Sequence, residues 1–399
     1  MKKTVAIFLL AVVAFFGFAC SSANSDDQVG AASVRTTSIV PSSGVSGDWA
    51  IISGTGFSGS VSVSVGDNPA QITSKTSKRI QIELPSNQAG TYPVSVTCGE
   101  QTASNLCYTY LTDGPVETDP DKDAIAEAVG KADLVSKVME SRSRLLSEGV
   151  FESDVFFQTV SGTIVHAYIV MADLNTPGVN LSVCTPYKAM APYKKKQTLT
   201  EMTNLYDAPG ARVAAMINGD FWDTSLLVPR GPIHHEGVIV NEEFNYSERV
   251  PQQALSYVAL RKDGRMLIDF KESYPSSKSD LKEATGAGVV LVKDGKIPEI
   301  NPKWTALDPR TAIGYTEKNV VYLLVADGRA ENFSNGLTYA QMSSIFEALG
   351  CKAAANLDGG GSAQILTRNP ETGKGEIRNR PADGKERAVF NGWMVTVKE

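Results

Sequence analysis

Apolar and polar positions follow two rhythms along the chain. Between Thr36 and Leu111 they alternate in short runs. Ser60-Val61-Ser62-Val63-Ser64-Val65 alternates strictly, and Arg79 to Leu84 and Thr91 to Thr97 repeat the pattern. A period of two puts every second side chain on one face, as in a half-buried strand. Gly66-Asp67-Asn68-Pro69 and Ser86-Asn87 punctuate the runs as turns. Short strands at this spacing predict a small all-β sandwich over residues 36–112. The rhythm then changes. Ile125, Val129, Ala132, Leu134, Val135, Val138, Leu145 and Leu146 recur near helical spacing. With Asp119 as cap, Pro120 in the first turn and Gly149 as stop, a linker and helix are expected over 113–149.

From Val150 to Glu399 strand patterns dominate again. Thr163 to Met171, Val179 to Val183, Ala211 to Ile217, Gly237 to Val240, Ser256 to Leu260, Arg265 to Asp269, Gly288 to Val292, Ala312 to Tyr315 and Val320 to Ala326 all read as strands. One helix is clear. Thr338-Tyr339-Ala340-Gln341 has capping-box form, Met342, Ile345, Phe346 and Leu349 follow on one face, and Gly350 ends it. The expectation is an α+β domain with a large mixed sheet over 150–399.

The first residues read as an address. A basic Met1-Lys2-Lys3 precedes an apolar run from Thr4 to Phe18, shorter than the ~20 residues of a membrane span. This is the form of a secretory signal. Ala19-Cys20 resembles a bacterial lipobox, although Gly17 stands where an aliphatic residue is usual; a plain signal peptide is the other reading. The lipobox reading makes 1–19 a signal peptide, Cys20 the lipidated N-terminus and 20–35 a polar tether. The protein would then be held by its lipid at the bacterial cell envelope, at the outer membrane, facing the periplasm or the surface. Ser25-Asp26-Asp27 resembles an acidic export signal of surface lipoproteins.

Charge and composition narrow the chemistry. Lys+Arg number 38 against 44 Asp+Glu, a net charge of −6. No basic face for nucleic acid is expected. His166, His234 and His235 are the only histidines, and neither His-Glu-x-x-His nor a pair of Cys-x-x-Cys motifs occurs. No cofactor or transition metal is therefore expected, with a carboxylate-bound calcium left as an option. Beyond Cys20, an exported protein could join Cys98 and Cys107 across a hairpin, while Cys184 and Cys351 suit buried thiols.

Five motifs stand at strand ends: Asn218-Gly219-Asp220-Phe221-Trp222, Pro229 through Gly237 with His234-His235-Glu236, Asp308-Pro309-Arg310-Thr311-Ala312, Asp327-Gly328-Arg329, and Asn356-Leu357-Asp358-Gly359-Gly360-Gly361-Ser362. Asn218 through Phe221, Pro309-Arg310-Thr311-Ala312-Ile313-Gly314, Asp327-Gly328-Arg329, Gly336-Leu337-Thr338 and Asn356 through Ser362, in this order, resemble the phosphodiester glycosidase family, across most of 150–399. Ile39-Val40-Pro41 through Gly54-Thr55-Gly56-Phe57 resembles the IPT/TIG immunoglobulin-like family, whose domains are usually spacers or interaction modules. The first resemblance implies a hydrolase that removes a sugar from a sugar-1-phosphodiester in a glycan or cell-envelope polymer. A non-catalytic glycan-binding or adhesion lipoprotein is the alternative.

That chemistry needs cations for the phosphate and carboxylates for the positive charge that builds on the sugar ring. Arg310 and Arg329 have forked donors suited to phosphate oxygens. Gly359, Gly360 and Gly361 would let backbone N–H groups converge on an anion, with Ser362 adding a hydroxyl. Asp327 and Asp358 are the candidate catalytic pair, brought together if their strands are neighbours. Asn218, Asp220, Thr311 and His235 are candidate substrate-binding residues. His234 and His235 point opposite ways if extended, so at most one would face a pocket.

Overall fold

The computed structural model describes residues 33–40, 43–44, 46–47, 49–88, 90–110 and 123–398. The signal, Cys20, nearly all of the tether and the acidic linker lie outside these residues. Contacts divide the chain into two units, Met1–Gly114 and Pro115–Glu399.

In the first unit the strand order is Arg35–Val40, Trp49–Thr55, Arg79–Glu83, Asn68–Lys75, Val61–Val65, Gly90–Cys98 and Gln101–Tyr110, with neighbours antiparallel. Ser43–Gly44 adds a short parallel pairing to the last strand. The alternation seen in the sequence has a physical cause. Val63 and Val65 are buried with Ile52, Ile80, Ile82, Val94, Val96 and Tyr108, while the intervening serines face outward. The turn at Gly66, with φ +61°, closes a tight hairpin.

Cys98 and Cys107 do not pair. They lie on partner strands, but Cys98 stands opposite Gln101 and Cys107 opposite Pro93. From position 93 to 98 the strand climbs about 17 Å, far beyond the reach of a disulfide.

In the second unit the expected long helix is corrected. Among the described residues of 113–149 only Ala124–Gly130 is helical, and its cap is Asp123, whose Oδ1 accepts from the backbone N–H of Ile125 and Ala126. Beyond it, Val135–Ser147 is a strand that forms a hairpin with Val150–Thr159, turning at Gly149. Its register slips three times, leaving Ser136, Met139 and Leu146 without a partner in the ladder. Each extra residue shifts a period of two towards three. The bulged strand thereby imitates helical spacing.

The mixed sheet is corrected as well. Three main sheets form, and every strand pairing described between 123 and 398 is antiparallel. The largest has the order Val290–Lys293, Cys351–Asn356, Arg310–Thr316, Val320–Ala326, Ile164–Asp173, Val150–Thr159, Val135–Ser147. The second runs Asn180–Cys184, Gly392–Val397, Arg212–Asn218, Ile365–Arg368, Gly375–Ile377. The third runs Val238–Asn241, Ile233–His235, Leu281–Ala287, Ser256–Arg261, Met266–Phe270. Tight turns such as that at Asn319, with φ +59°, join neighbours directly, so no crossover to a parallel partner is needed.

The three sheets share one core, in which Val170, Leu323 and Val325 meet Leu181, Ile217 and Trp393, and Val258 and Ile268. The outer face of the seven-stranded sheet is covered by the short first helix and by Tyr339–Ala348, through Val129, Met342, Ile345 and Phe346. Thr338 and Gln341 form the capping box expected there. A second capped helix, Leu199–Tyr206 with Thr198 and Glu201, was not read from the sequence. The unit is mostly β, so the α+β expectation holds only loosely. Among the described residues no helix is long and apolar enough to cross a membrane.

Candidate active site

The motifs gather where the sheets end. Asn218, at the end of Arg212–Asn218, is buried. Its Oδ1 accepts from Thr311 Oγ1 (2.7 Å) and from the Gln364 N–H (3.1 Å), and its Nδ2 donates to the Asp358 carbonyl (2.7 Å). Asn218 and Thr311 thus stitch two sheets together beneath Asp358. Asn356, in the same motif, is also buried, and neither polar atom of its amide has a partner.

Three carboxylates stand near this floor, and their surroundings differ. Asp220 is buried against Gly231 and Gly286, where a Cβ on either glycine would collide with the opposite backbone. Its backbone N–H donates to Asn391 Oδ1 (2.8 Å), and its Oδ2 accepts from the Gly231 N–H (2.7 Å). Its Oδ1 has no partner. Burial, with the negative charge of Asp358 adding to it, pushes the Asp220 carboxyl up to about 8. Asp358 is partly exposed, and burial moves it up less, to about 6, because Ser362, the Gly359 N–H, Arg387 and Trp222 favour its charged form.

Asp327 belongs to a different network. Its Oδ1 accepts from Asn379 Nδ2 (3.0 Å), and both oxygens accept from the Arg380 N–H. Burial raises it to about 6, with Asp154 also raising it and His166 lowering it. His166 itself is stacked between Phe156 and Phe333 at 4.2 and 4.4 Å. The strands carrying Asp327 and Asp358 are not neighbours. Arg310–Thr316 lies between them, pairing with both. The two acids leave the same end of the sheet two strands apart, about 10 Å at the backbone. Electrostatically, Asp358 is coupled to Asp220.

The glycine turn is where the arginines converge. Gly360, with φ +59°, lies under the Arg329 guanidinium, and Gly361 lies against Arg387 and Asp383; a Cβ at Gly361 would strike both. Arg329 Nε is held by Asp308 (3.0 Å), and Arg387 Nε by Asp383 (2.7 Å), with Arg387 Nη1 reaching Ser362 Oγ (3.2 Å). The expected convergence of glycine N–H groups is only partial. Gly359 N–H donates to Asp358 Oδ1 and Gly360 N–H to the Pro309 carbonyl (both 2.9 Å). The turn's glycines admit side-chain cations more than they offer backbone donors. Arg310 is placed elsewhere. It is buried over the Tyr339 ring, and donates to the carbonyls of Leu337 (2.9 Å) and Ala306 (2.8 Å).

The histidine pair points opposite ways, as extended backbone requires. His234 Nε2 meets Tyr274 Oη (2.7 Å), and burial lowers its pKa to about 4, so it is neutral. His235 lies between Glu283 Oε2 (3.2 Å) and Tyr206 Oη (3.3 Å). Among the described residues no three His, Cys, Asp or Glu side chains converge as a metal-holding group.

Residues 211–396 match the family model for phosphodiester glycosidases, and residues 35–110 that for IPT/TIG domains. The chain carries a phosphodiester glycosidase domain behind an IPT/TIG domain. A curated relative, the SPbeta prophage-derived uncharacterized protein YomE of Bacillus subtilis, is 38% identical over 113 residues, which are 27% of this chain and 16% of that protein. The match thus spans only a small part of the relative's length. A solved hypothetical protein from Synechocystis shares the fold, at 13% identity and TM-score 0.50 over 92% of this chain and 81% of its own. The zebrafish N-acetylglucosamine-1-phosphodiester alpha-N-acetylglucosaminidase catalytic domain, auto-inhibited by its pro-peptide, aligns over 66% of this chain and 86% of its own. Its identity is 18% and its TM-score 0.46.

Within the glycosidase domain, the sequence singled out the glycines, Asp220, Asp358 and Arg329 by their motifs. It missed Arg387, Asp383, Asn379 and Asn391. These lie in the Asn379–Asn391 segment, which has no local motif and acquires its role only by folding back across the strand ends.

Proposed function

We propose that the protein is an exported, lipid-anchored hydrolase that cleaves a sugar from a sugar-1-phosphodiester in a glycan or cell-envelope polymer. The observation that carries this reading is two arginines on a glycine turn beside two carboxylates of unequal proton affinity. Near neutral pH Asp220 holds its proton and Asp358 is ionised. Carboxylates pushed apart in this way divide the roles of acid and base. Asp220, whose buried Oδ1 has no partner among the described residues, is assigned the role of acid towards the departing phosphate oxygen. Asp358 faces the positive charge that grows on the anomeric carbon. Arg329 and Arg387 hold the phosphate. Asp327, set apart by a strand, positions the Asn379–Arg380 segment and takes no part in bond cleavage.

The test is a screen of the purified protein against sugar-1-phosphodiesters with product analysis. Free sugar and a phosphomonoester are expected from the wild type, and Asp358→Asn should lower turnover at least ~100-fold with its melting curve intact. Ligand binding without turnover in the wild type would favour a glycan-binding protein instead. The anchor is tested separately. Cys20→Ser should move the protein from the membrane fraction to the soluble one, and unchanged fractionation would refute lipidation.

A further inference from the structure

One segment beside the site has no place in the scheme above. Pro186 to Gln197 contains Lys188, Lys194, Lys195 and Lys196 and no acidic residue, in a chain of net charge −6. None of these lysines is paired with a carboxylate among the described residues. Three of them lie over aromatic rings instead: Lys188 over Tyr206 at 5.2 Å, Lys195 over Tyr187 at 5.0 Å, and Lys196 over Trp222 at 4.4 Å.

The segment is a built loop. Its ends are closed by paired backbone bonds between Gln197 and Val389, and by the Tyr187 N–H on Gln197 Oε1 (2.6 Å). Tyr187 and Lys188 both have left-handed backbone, at φ 58° and 52°, a conformation that costs energy in residues with a Cβ. The loop leads to the chemistry. Tyr193 donates its hydroxyl to the Phe390 carbonyl, and Phe390 packs on Trp222 at 5.2 Å between ring centroids. Trp222 in turn faces Asp358.

We infer that this lysine loop is a subsite for a polyanion, so that the substrate carries a run of phosphodiesters rather than one. This inference rests on the hydrolase reading. A single phosphate is already met by Arg329 and Arg387 at the glycine turn. Four further cations without carboxylate partners, on a braced loop that reaches Trp222 through Lys196, match an anionic chain that continues from the cleaved bond. Ammonium groups suit such a chain because they attract charge without demanding one fixed geometry. The rings beneath Lys188, Lys195 and Lys196 hold those three ammonium groups by cation–π attraction.

The experiment compares two substrates with the same N-acetylglucosamine-1-phosphodiester. In one the aglycone is methyl; in the other it continues as several glycerol phosphodiesters. The full chain should prefer the longer substrate in kcat/KM at low salt and lose that preference at high salt. Replacing Lys188, Lys194 and Lys195 by Gln should cut the long-to-short ratio about tenfold, since each exposed charge contact contributes roughly two- to threefold. Replacement by Arg should restore it. Direct binding of fluorescein-labelled oligo(glycerol phosphate), read by anisotropy, should follow the same order. An unchanged ratio in the Gln variant, or no preference in the wild type, overturns the inference. So does lysine-dependent binding to phosphatidylglycerol vesicles by a Cys20→Ser chain that ignores the oligomer. If neither substrate turns over but the oligomer binds through the lysines, the polyanion subsite stands and the hydrolase reading falls. Turnover of the methyl substrate alone, without oligomer binding, has the opposite meaning.

Discussion

Asp220 is the residue on which chemistry and stability conflict most. The usual carboxyl pKa in an unfolded chain is about 4, and in the fold burial lifts it to about 8. A raised carboxyl pKa favours the protonated form, so its stabilising effect is complete below pH ~4 and is lost as pH rises through about 8. The fold is therefore working against this residue at neutral pH. Asp220→Asn should raise the melting temperature by several degrees at pH 8, with the gain vanishing towards pH 4, while turnover collapses. Equal melting curves at both pH values would show that the group is not buried as an acid. The same two carboxyls set the rate profile. kcat/KM should fall below about 6 as Asp358 takes up a proton and above about 8 as Asp220 loses its own. At this scale the sequence was informative about residue type and silent about partners. Asp220 was visible in its motif, but its electrostatic coupling to Asp358 was not, because the two acids lie far apart in the chain and approach only in the fold.

Among the elements, the Val135–Ser147 and Val150–Thr159 hairpin shows where periodicity misleads. Strands with unbroken alternation, such as Val61–Val65, could be read from their sequence. The bulged strand could not, since its three slips copy a helical rhythm. The hairpin is tied to the second sheet by one buried carboxylate. Glu152 accepts from Arg144 Nε (2.6 Å), Arg378 Nε (2.7 Å) and Thr367 Oγ1 (2.9 Å). Burial works to raise its pKa, but Arg378 and Arg144 outweigh it and hold it at about 2. A depressed carboxyl pKa contributes stability above the unfolded value, and that stability is lost as pH falls from ~4.3 through about 2. Glu152→Ala should cost ~3–5 kcal/mol, because it strands two guanidinium groups whose partner is gone. Urea denaturation at pH 7 measures this directly. A loss below ~1 kcal/mol would mean the arginines find new partners, and the clamp would then not be what fixes the hairpin.

For the whole molecule, what the sequence reveals depends on distance along the chain. In the sequence, the acidic, proline-containing stretch from Asp113 to Asp123 separates two hydrophobic rhythms and offers a boundary. The completed site was less so, since Arg387 and Asn391 reach it from about 170 residues beyond Asp220. Each unit closes a core of its own: Ile52, Ile80, Val94 and Tyr108 in the first, and Leu323, Ile217, Trp393 and Val258 in the second. Every side chain assigned to chemistry here comes from the second unit. Removing residues 33–112 should therefore leave turnover of a soluble sugar-1-phosphodiester within about twofold of the full chain, with one cooperative melting transition retained. The first helix must stay in such a variant. Asp123 caps it and also accepts from Ser153 Oγ (2.5 Å), so cutting beyond Asp123 would unpick the hairpin as well as the linker. Two truncations, one ending before Asp123 and one after Val129, separate these effects. The shorter deletion should preserve activity. The longer should lower the melting temperature, because loss of Ile125 and Val129 uncovers part of the outer face of the seven-stranded sheet. A folded short-deletion variant without turnover would mean that the IPT/TIG unit completes the site, and the division of labour between the two units would have to be abandoned.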